Sequence, residues 1–191
     1  MSRIYKAIVM CAMAGIAFVV PAVYAEDGKA VIIEKPAPAT LAEGAAVTTK
    51  IVPDMLVASI RYKGKYEEIG KYIGMLMPVA GPYIEGPMFS LYHDEGSGEI
   101  HDIEVCVPVK DSVKAEGVTT QILKAGTMLS MIHTGSYEKL HEAWGKLFKY
   151  IEAEKLNIGM PVREIYISWD EKDPSKNITE LQVPLAEKKE D

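Results

Sequence analysis

The feature that most constrains this 191-residue chain is a long internal duplication. Leu56–Gly64 (LVASIRYKG) corresponds to Thr127–Gly135 (TMLSMIHTG) at an offset of 71, as Ile51-Val52 does to Ile122-Leu123. Tyr66-Glu67 matches Tyr137-Glu138 at the same offset, Pro87–Tyr92 matches Pro161–Tyr166 at 74, and Val105–Val109 matches Leu181–Leu185 at 76. The offset drifts only where turns are expected, and turns tolerate insertions. A period this long, occurring twice, excludes a solenoid, which needs more copies to bury its core. It predicts two similar halves, about 46–116 and 117–186, facing each other across a cleft.

Each copy reads strand, helix, strand, strand. Leu56–Tyr62 and Thr127–His133 are short runs of strand formers that end in glycine-containing turns. In the second copy Ser136 stands at an N-cap position. Leu140, Ala143, Trp144, Leu147, Phe148 and Ile151 then recur at spacings of three and four, predicting one apolar helical face. The first copy repeats this with Ile69, Tyr72, Ile73 and Leu76 until Pro78, where the helix is expected to stop. In the last strands Ile103, Val105, Val107 and Val109 alternate with polar residues. The fold class that follows is α+β: two strand-helix-strand-strand halves forming a curved antiparallel sheet, with two helices and a central pocket.

Alternation along the third strands selects the candidate site. Phe89 and Leu91, like Arg163 and Ile165, share one face; Ser90 and Tyr92, like Glu164 and Tyr166, share the other. With the helices on one side of the sheet, the opposite side is expected to carry the tyrosines and the carboxylate. Trp169, at the end of the Glu164 strand, is a candidate for the pocket rim. Trp144 reads as core and Tyr66 and Tyr137 as turn packing. Glu104 and Glu180 read as solvent-facing; the alternative to a pocket role for Glu164 is a carboxylate at a strand end paired in solvent with Arg163 or a lysine.

The ends differ in character from the duplicated region. Arg3 and Lys6 precede the 14-residue apolar run Ala7–Val20, and Val23-Tyr24-Ala25 offers small residues around a cleavage point. This predicts a signal peptide over 1–25, cut after Ala25, and an exported, periplasmic or secreted protein. The run is short for a span of about 30 Å, which needs about 20 residues, so no stable membrane insertion is expected after cleavage. Residues 26–45, with Pro36 and Pro38, read as a flexible spacer, and 187–191 as a charged tail. Losing Arg3 and Lys6 makes the exported part more acidic than the full chain, whose net charge is −6, and no basic stripe compensates. No nucleic-acid partner is expected. Cys106 alone remains after cleavage, so no internal disulfide forms. The four histidines show no zinc-ligand spacing, and no metal or cofactor is expected. Oligomeric state leaves no mark in the sequence.

Several of these stretches together resemble a known family. Lys63–Glu67 and Thr134–Glu138 at the helix starts, Gly86-Pro87, Leu91–Asp94, Glu164-Ile165-Tyr166, and the Val-Pro pairs at 107–108 and 183–184 resemble the gyrase-inhibitor-like (GyrI-like) small-molecule-binding domains. These are also known as AraC-type effector-binding domains, and the resemblance spans about 46–186. It implies a pocket in which Glu164, by position, meets amphipathic, cationic ligands among aromatic side chains. Tyr92, Tyr166, Ser90 and Trp169 are the other lining candidates. Some members resemble hydrolases that use the pocket glutamate and a tyrosine, here Glu164 and Tyr166. A related haem-binding family shares the overall fold, but none of the four histidines stands on a haem motif. Regulatory members carry a DNA-binding domain on the same chain; here a signal peptide stands in its place. The expected function is an exported binding protein for a small amphipathic or cationic molecule. A hydrolase or an envelope protein-interaction module are the alternatives.

Overall fold

The computed structural model describes residues 25–26, 29–30, 46–96 and 98–186. Ala25–Glu26 pairs antiparallel with Lys29–Ala30. Apart from these four residues, the expected signal peptide and spacer lie outside the described residues, as does the charged tail.

Eight strands form one antiparallel sheet: β1 (Val47–Val52), β2 (Met55–Gly64), β3 (Phe89–Tyr92), β4 (His101–Pro108), β5 (Thr119–Leu123), β6 (Gly126–Thr134), β7 (Val162–Ser168) and β8 (Ile178–Pro184). Two helices, α1 (Ile69–Ala80) and α2 (Leu140–Ala153), follow β2 and β6, each led in by one 3-10 turn. The strand order is β1-β6-β8-β7-β3-β4-β2-β5. The α+β class, the curved sheet and the two helices are as expected. The leading strands β1 and β5 are additions, because runs such as VTTKIV and TTQIL alternate too weakly to stand out.

Those strands decide the shape of the sheet. β1 and β2 are joined by Pro53-Asp54 alone, yet they occupy the first and seventh places in the sheet. Three Cα steps reach at most about 11 Å, so the two flanks must approach each other at this end and the sheet curls. The second link, Lys124-Ala125, crosses the first, with Val52 opposite Gly126 and Met55 opposite Leu123. Asp54 fastens the crossing: it accepts from the Ala125 N–H at 2.6 Å and pairs with Lys124 at 3.1 Å.

The helices cover one face. Leu76 and Ala80 from α1, and Leu140, Ala143, Leu147 and Ile151 from α2, pack on Ala58, Ile103, Val105, Val107, Leu129, Leu181 and Val183. Helix α1 runs two residues beyond Pro78, its expected stop. In the last turn the proline removes one hydrogen bond, while fully buried Leu76 and Ala80 hold that turn in the core. Ser136 takes the N-cap position with an extended backbone, but its side chain makes no capping bond. Among the described residues no helix lies over the other face. Ser59, Ser130, Gln182, Glu104, Glu180 and Arg163 are nonetheless buried there, because the curl encloses them.

Candidate functional site

Antiparallel pairing of β3 and β7 sets Ser90 opposite Glu164 and Tyr92 opposite Val162. The next ladders set Tyr92 beside Ile103 and Glu164 beside Leu181. All these residues therefore share the helix-bearing face. This corrects the expectation that the tyrosines and carboxylate lie opposite the helices. The two helices cover the flanks of the sheet, and the gap between them leaves β3 and β7 as a floor.

That gap is a cavity of about 1310 Å³. Ile69 and Ile73 of α1 form one wall, Leu140, Trp144 and Phe148 of α2 the other, and Tyr92, Val162, Glu164 and Tyr166 the floor. Trp169 stands on the rim, 65% exposed. Ser90 does not reach the cavity. It is fully buried and shares a 2.9 Å hydrogen bond with the Tyr166 hydroxyl.

Glu164 is 7% exposed. Its carboxylate accepts from the Tyr92 hydroxyl at 2.5 Å, the Trp144 indole N–H at 2.7 Å and, at 3.4 Å, the Tyr166 hydroxyl. Burial pushes its pKa up, the three donors pull it back in part, and the net position is above the ordinary carboxylate range. The same burial, with the Glu164 charge beside it, raises the Tyr166 hydroxyl far above its usual value, so it stays a proton donor at neutral pH.

Three assignments change here. Trp144 packs against the edge of the core but also lines the cavity: the apolar stripe of α2 splits, sending Ala143, Leu147 and Ile151 into the sheet, turning Phe148 towards the cavity, and leaving Leu140 and Trp144 at the boundary. Tyr66 and Tyr137 are cavity residues as well as turn residues. Tyr66 meets Tyr92 edge-on at 5.7 Å, and Tyr137 meets Tyr166 in the same way at 5.7 Å. Glu104 and Glu180 are buried on the far face instead of solvated. Glu104 accepts from Gln121 at 2.5 Å and contacts His93 at 2.9 Å; Glu180 accepts from Ser130 and pairs with Lys50. Burial raises the Glu180 pKa, but Lys50 and Ser130 outweigh it and hold the group below the usual range.

Sequence reasoning missed Asp94, Glu95 and Glu138, all of which line the cavity. They lie in a turn after β3 and at the start of α2, where period gives no guide. With Glu164 they make four carboxylates around a cavity whose lining, among the described residues, includes His141 but no Lys or Arg.

Trp144→Phe tests the role of the indole N–H. The substitution keeps an aromatic wall and removes a donor to the ionised form, so the Glu164 pKa is expected to rise further. Carbon-13 NMR titration of labelled glutamate reads this directly, and an unmoved or lowered value would show that the bond does not stabilise the carboxylate.

A curled antiparallel sheet with two helices parted over a buried carboxylate defines a small-molecule-binding α+β domain. The chain belongs to the GyrI-like small molecule binding domain family, which it matches over residues 45–186. Among solved structures it is similar to the EcmrR C-terminal domain, at 28% identity and a TM-score of 0.65, covering 74% of this chain and 97% of that one. In the EcmrR–DNA complex the same likeness spans 58% of the EcmrR chain, at 27% identity and a TM-score of 0.64. Two further structures share the fold. A hydrolase from Listeria innocua is 16% identical, with a TM-score of 0.58, 73% of this chain and 91% of that chain covered. SAV2435 bound to tetraphenylphosphonium is 14% identical, with a TM-score of 0.59, 73% and 93% covered. No curated protein sequence matches the chain.

Proposed function

We propose that this domain binds lipophilic cations in the cavity between its helices, with Glu164 as the charge anchor. The observation that carries this reading is the charge balance of the lining: four carboxylates, one of them buried, and no Lys or Arg among the described residues. A buried carboxylate in apolar surroundings bears a desolvation cost that a bound cation offsets. Tyr92, Trp144 and Tyr166 hold its oxygens, and aromatic faces attract a cation by about 0.5–2 kcal/mol each. The apolar walls contributed by Ile69, Ile73, Leu140 and Phe148 suit the body of such a ligand. SAV2435 binds tetraphenylphosphonium on the same fold, which makes that ion the natural probe.

The reading fixes a pH dependence. A cation prefers ionised Glu164, whose pKa in the empty site is raised by burial. Affinity for tetraphenylphosphonium is therefore expected to climb with pH as Glu164 ionises, over a window displaced upward from that of an ordinary carboxylate, and to be accompanied by proton release on the acid side of that window. Calorimetry in buffers of differing ionisation enthalpy measures both. A flat profile from acid to neutral pH, with no proton released, would remove Glu164 from the role.

A hydrolase is the second reading, favoured by the 2.5 Å contact between the Tyr92 hydroxyl and Glu164, which places a proton donor against a potential base. Conversion of a reactive small molecule by the wild type, and not by Glu164→Gln, would select it. We place the domain outside the cytoplasm on the strength of Arg3, Lys6 and the Ala7–Val20 run. N-terminal sequencing of protein recovered from the cell envelope should begin at Glu26; a start at Met1 would refute cleavage.

A further inference from the structure

The enclosed face of the sheet holds a second cavity, of about 360 Å³, which the cation site does not use. Arg163 lines it. The residue is next to Glu164 in β7, so strand alternation sends its side chain the opposite way, and it is not the partner of that carboxylate. Arg163 is 6% exposed, its Nε has no hydrogen-bond partner, and its guanidinium joins no ion pair among the described residues. A buried N–H of a charged group without a partner is costly, and the charge cannot be relieved by losing a proton under ordinary conditions. Directly across the β7–β8 ladder sits Gln182, also lining the cavity, whose buried Oε1 is an acceptor without a donor. Opposite positions in a ladder hold their Cβ atoms about 5 Å apart. One cation and one acceptor thus stand side by side, both unanswered. Glu180 and Lys50 lie in the same lining, and their charges match each other in an ion pair. The remaining walls are apolar, among them Met55, Phe89 and Ile165. Ile51 and Ile167, 47% and 44% exposed, mark the side open to solvent.

We propose that this cavity binds a small hydroxycarboxylate with a compact apolar body. The carboxylate pairs with Arg163, the neighbouring hydroxyl donates to Gln182 Oε1, and the apolar body rests on Phe89 and Ile165. An inorganic anion would satisfy the guanidinium but leave the amide oxygen and the apolar walls without contacts. The volume lies at the small end of the range for ligand pockets, about 300–1,000 Å³, which suits a single-ring acid.

Mandelate is the probe, titrated into the full chain while the isoleucine methyl signals are followed by NMR. The expected result is saturable binding that shifts Ile165 and Ile167, persists with the first cavity saturated by tetraphenylphosphonium, and is weaker by about 10-fold for phenylacetate, which lacks the hydroxyl. Arg163→Met should abolish binding while leaving the melting temperature unchanged or raised, since it replaces a largely buried charge that joins no ion pair by an apolar chain. No mandelate binding by the wild type at about 10 mM would overturn the proposal. So would equal binding by Arg163→Met, a lowered melting temperature in that variant, equal affinity for phenylacetate, or equally tight binding of inorganic phosphate. None of these outcomes bears on the cation site, so the two readings fail separately.

Discussion

Glu164→Gln is expected to lose affinity for tetraphenylphosphonium on the order of 100-fold, about 3 kcal/mol, because it removes a buried charge facing the ligand. The same substitution is expected to make the empty domain more stable at neutral pH. Burial raises the pKa of Glu164 in the folded state above its unfolded value. A group shifted in that direction contributes stability below its unfolded pKa and loses it as pH rises through the folded one. At neutral pH the ionised side chain is therefore a liability that Gln does not carry. Melting temperatures of the two proteins should nearly coincide at pH 4 and separate towards pH 7, with the variant higher. A variant that melts lower at pH 7, or keeps its affinity, would contradict the electrostatic account of the site.

The second large effect separates two neighbours on α2. Leu147 is fully buried between that helix and the sheet. Leu147→Ala should cost about 3 kcal/mol through lost transfer energy and the cavity left behind, lowering the melting temperature by about 10 °C. Phe148, one residue on, is 42% exposed and faces the cavity, stacked on Trp144 at 5.5 Å. Phe148→Ala should change stability by less than about 1 kcal/mol and instead weaken cation binding by about 10-fold, the worth of one aromatic contact. Thermal melts and Trp fluorescence titrations of the pair check the contrast. Equal loss of stability in both would mean that α2 does not divide its apolar stripe between core and cavity.

That division shows where sequence reasoning stops. Alternation is a local property of an extended chain, so the grouping of Glu164 with Tyr166, and of Ser90 with Tyr92, was legible from β3 and β7 alone. It was enough to bring Tyr92 and Glu164 together once the duplication aligned the two strands. Period two also separates Arg163 from Glu164, although adjacency in sequence suggested a pair. What alternation cannot supply is the side of the sheet on which the helices settle, or how wide a gap they leave. Those depend on the curl, which is set by β1 and β5 pairing with strands far away in sequence. Trp144 and Leu147 look alike on a helical wheel because the wheel does not know that the covered surface ends partway round. Glu104 and Glu180 looked solvated because a flat sheet would have left them so. Asp94, Glu95 and Glu138 reach the cavity from turns and a helix start, where no periodic signal exists.

The crossed links at Pro53-Asp54 and Lys124-Ala125 bear on how the molecule is made. As the chain leaves the ribosome, β1 has no partner until β6 arrives, and β3 has only β4 until β7 follows. A chain halted at residue 116 would hold β1 unpaired and leave β2 and β3 each with one free edge. Neither of the two similar stretches can finish its own sheet. Such late, distant pairing slows folding, and it makes the domain a single cooperative unit whose assembly waits for its last strand.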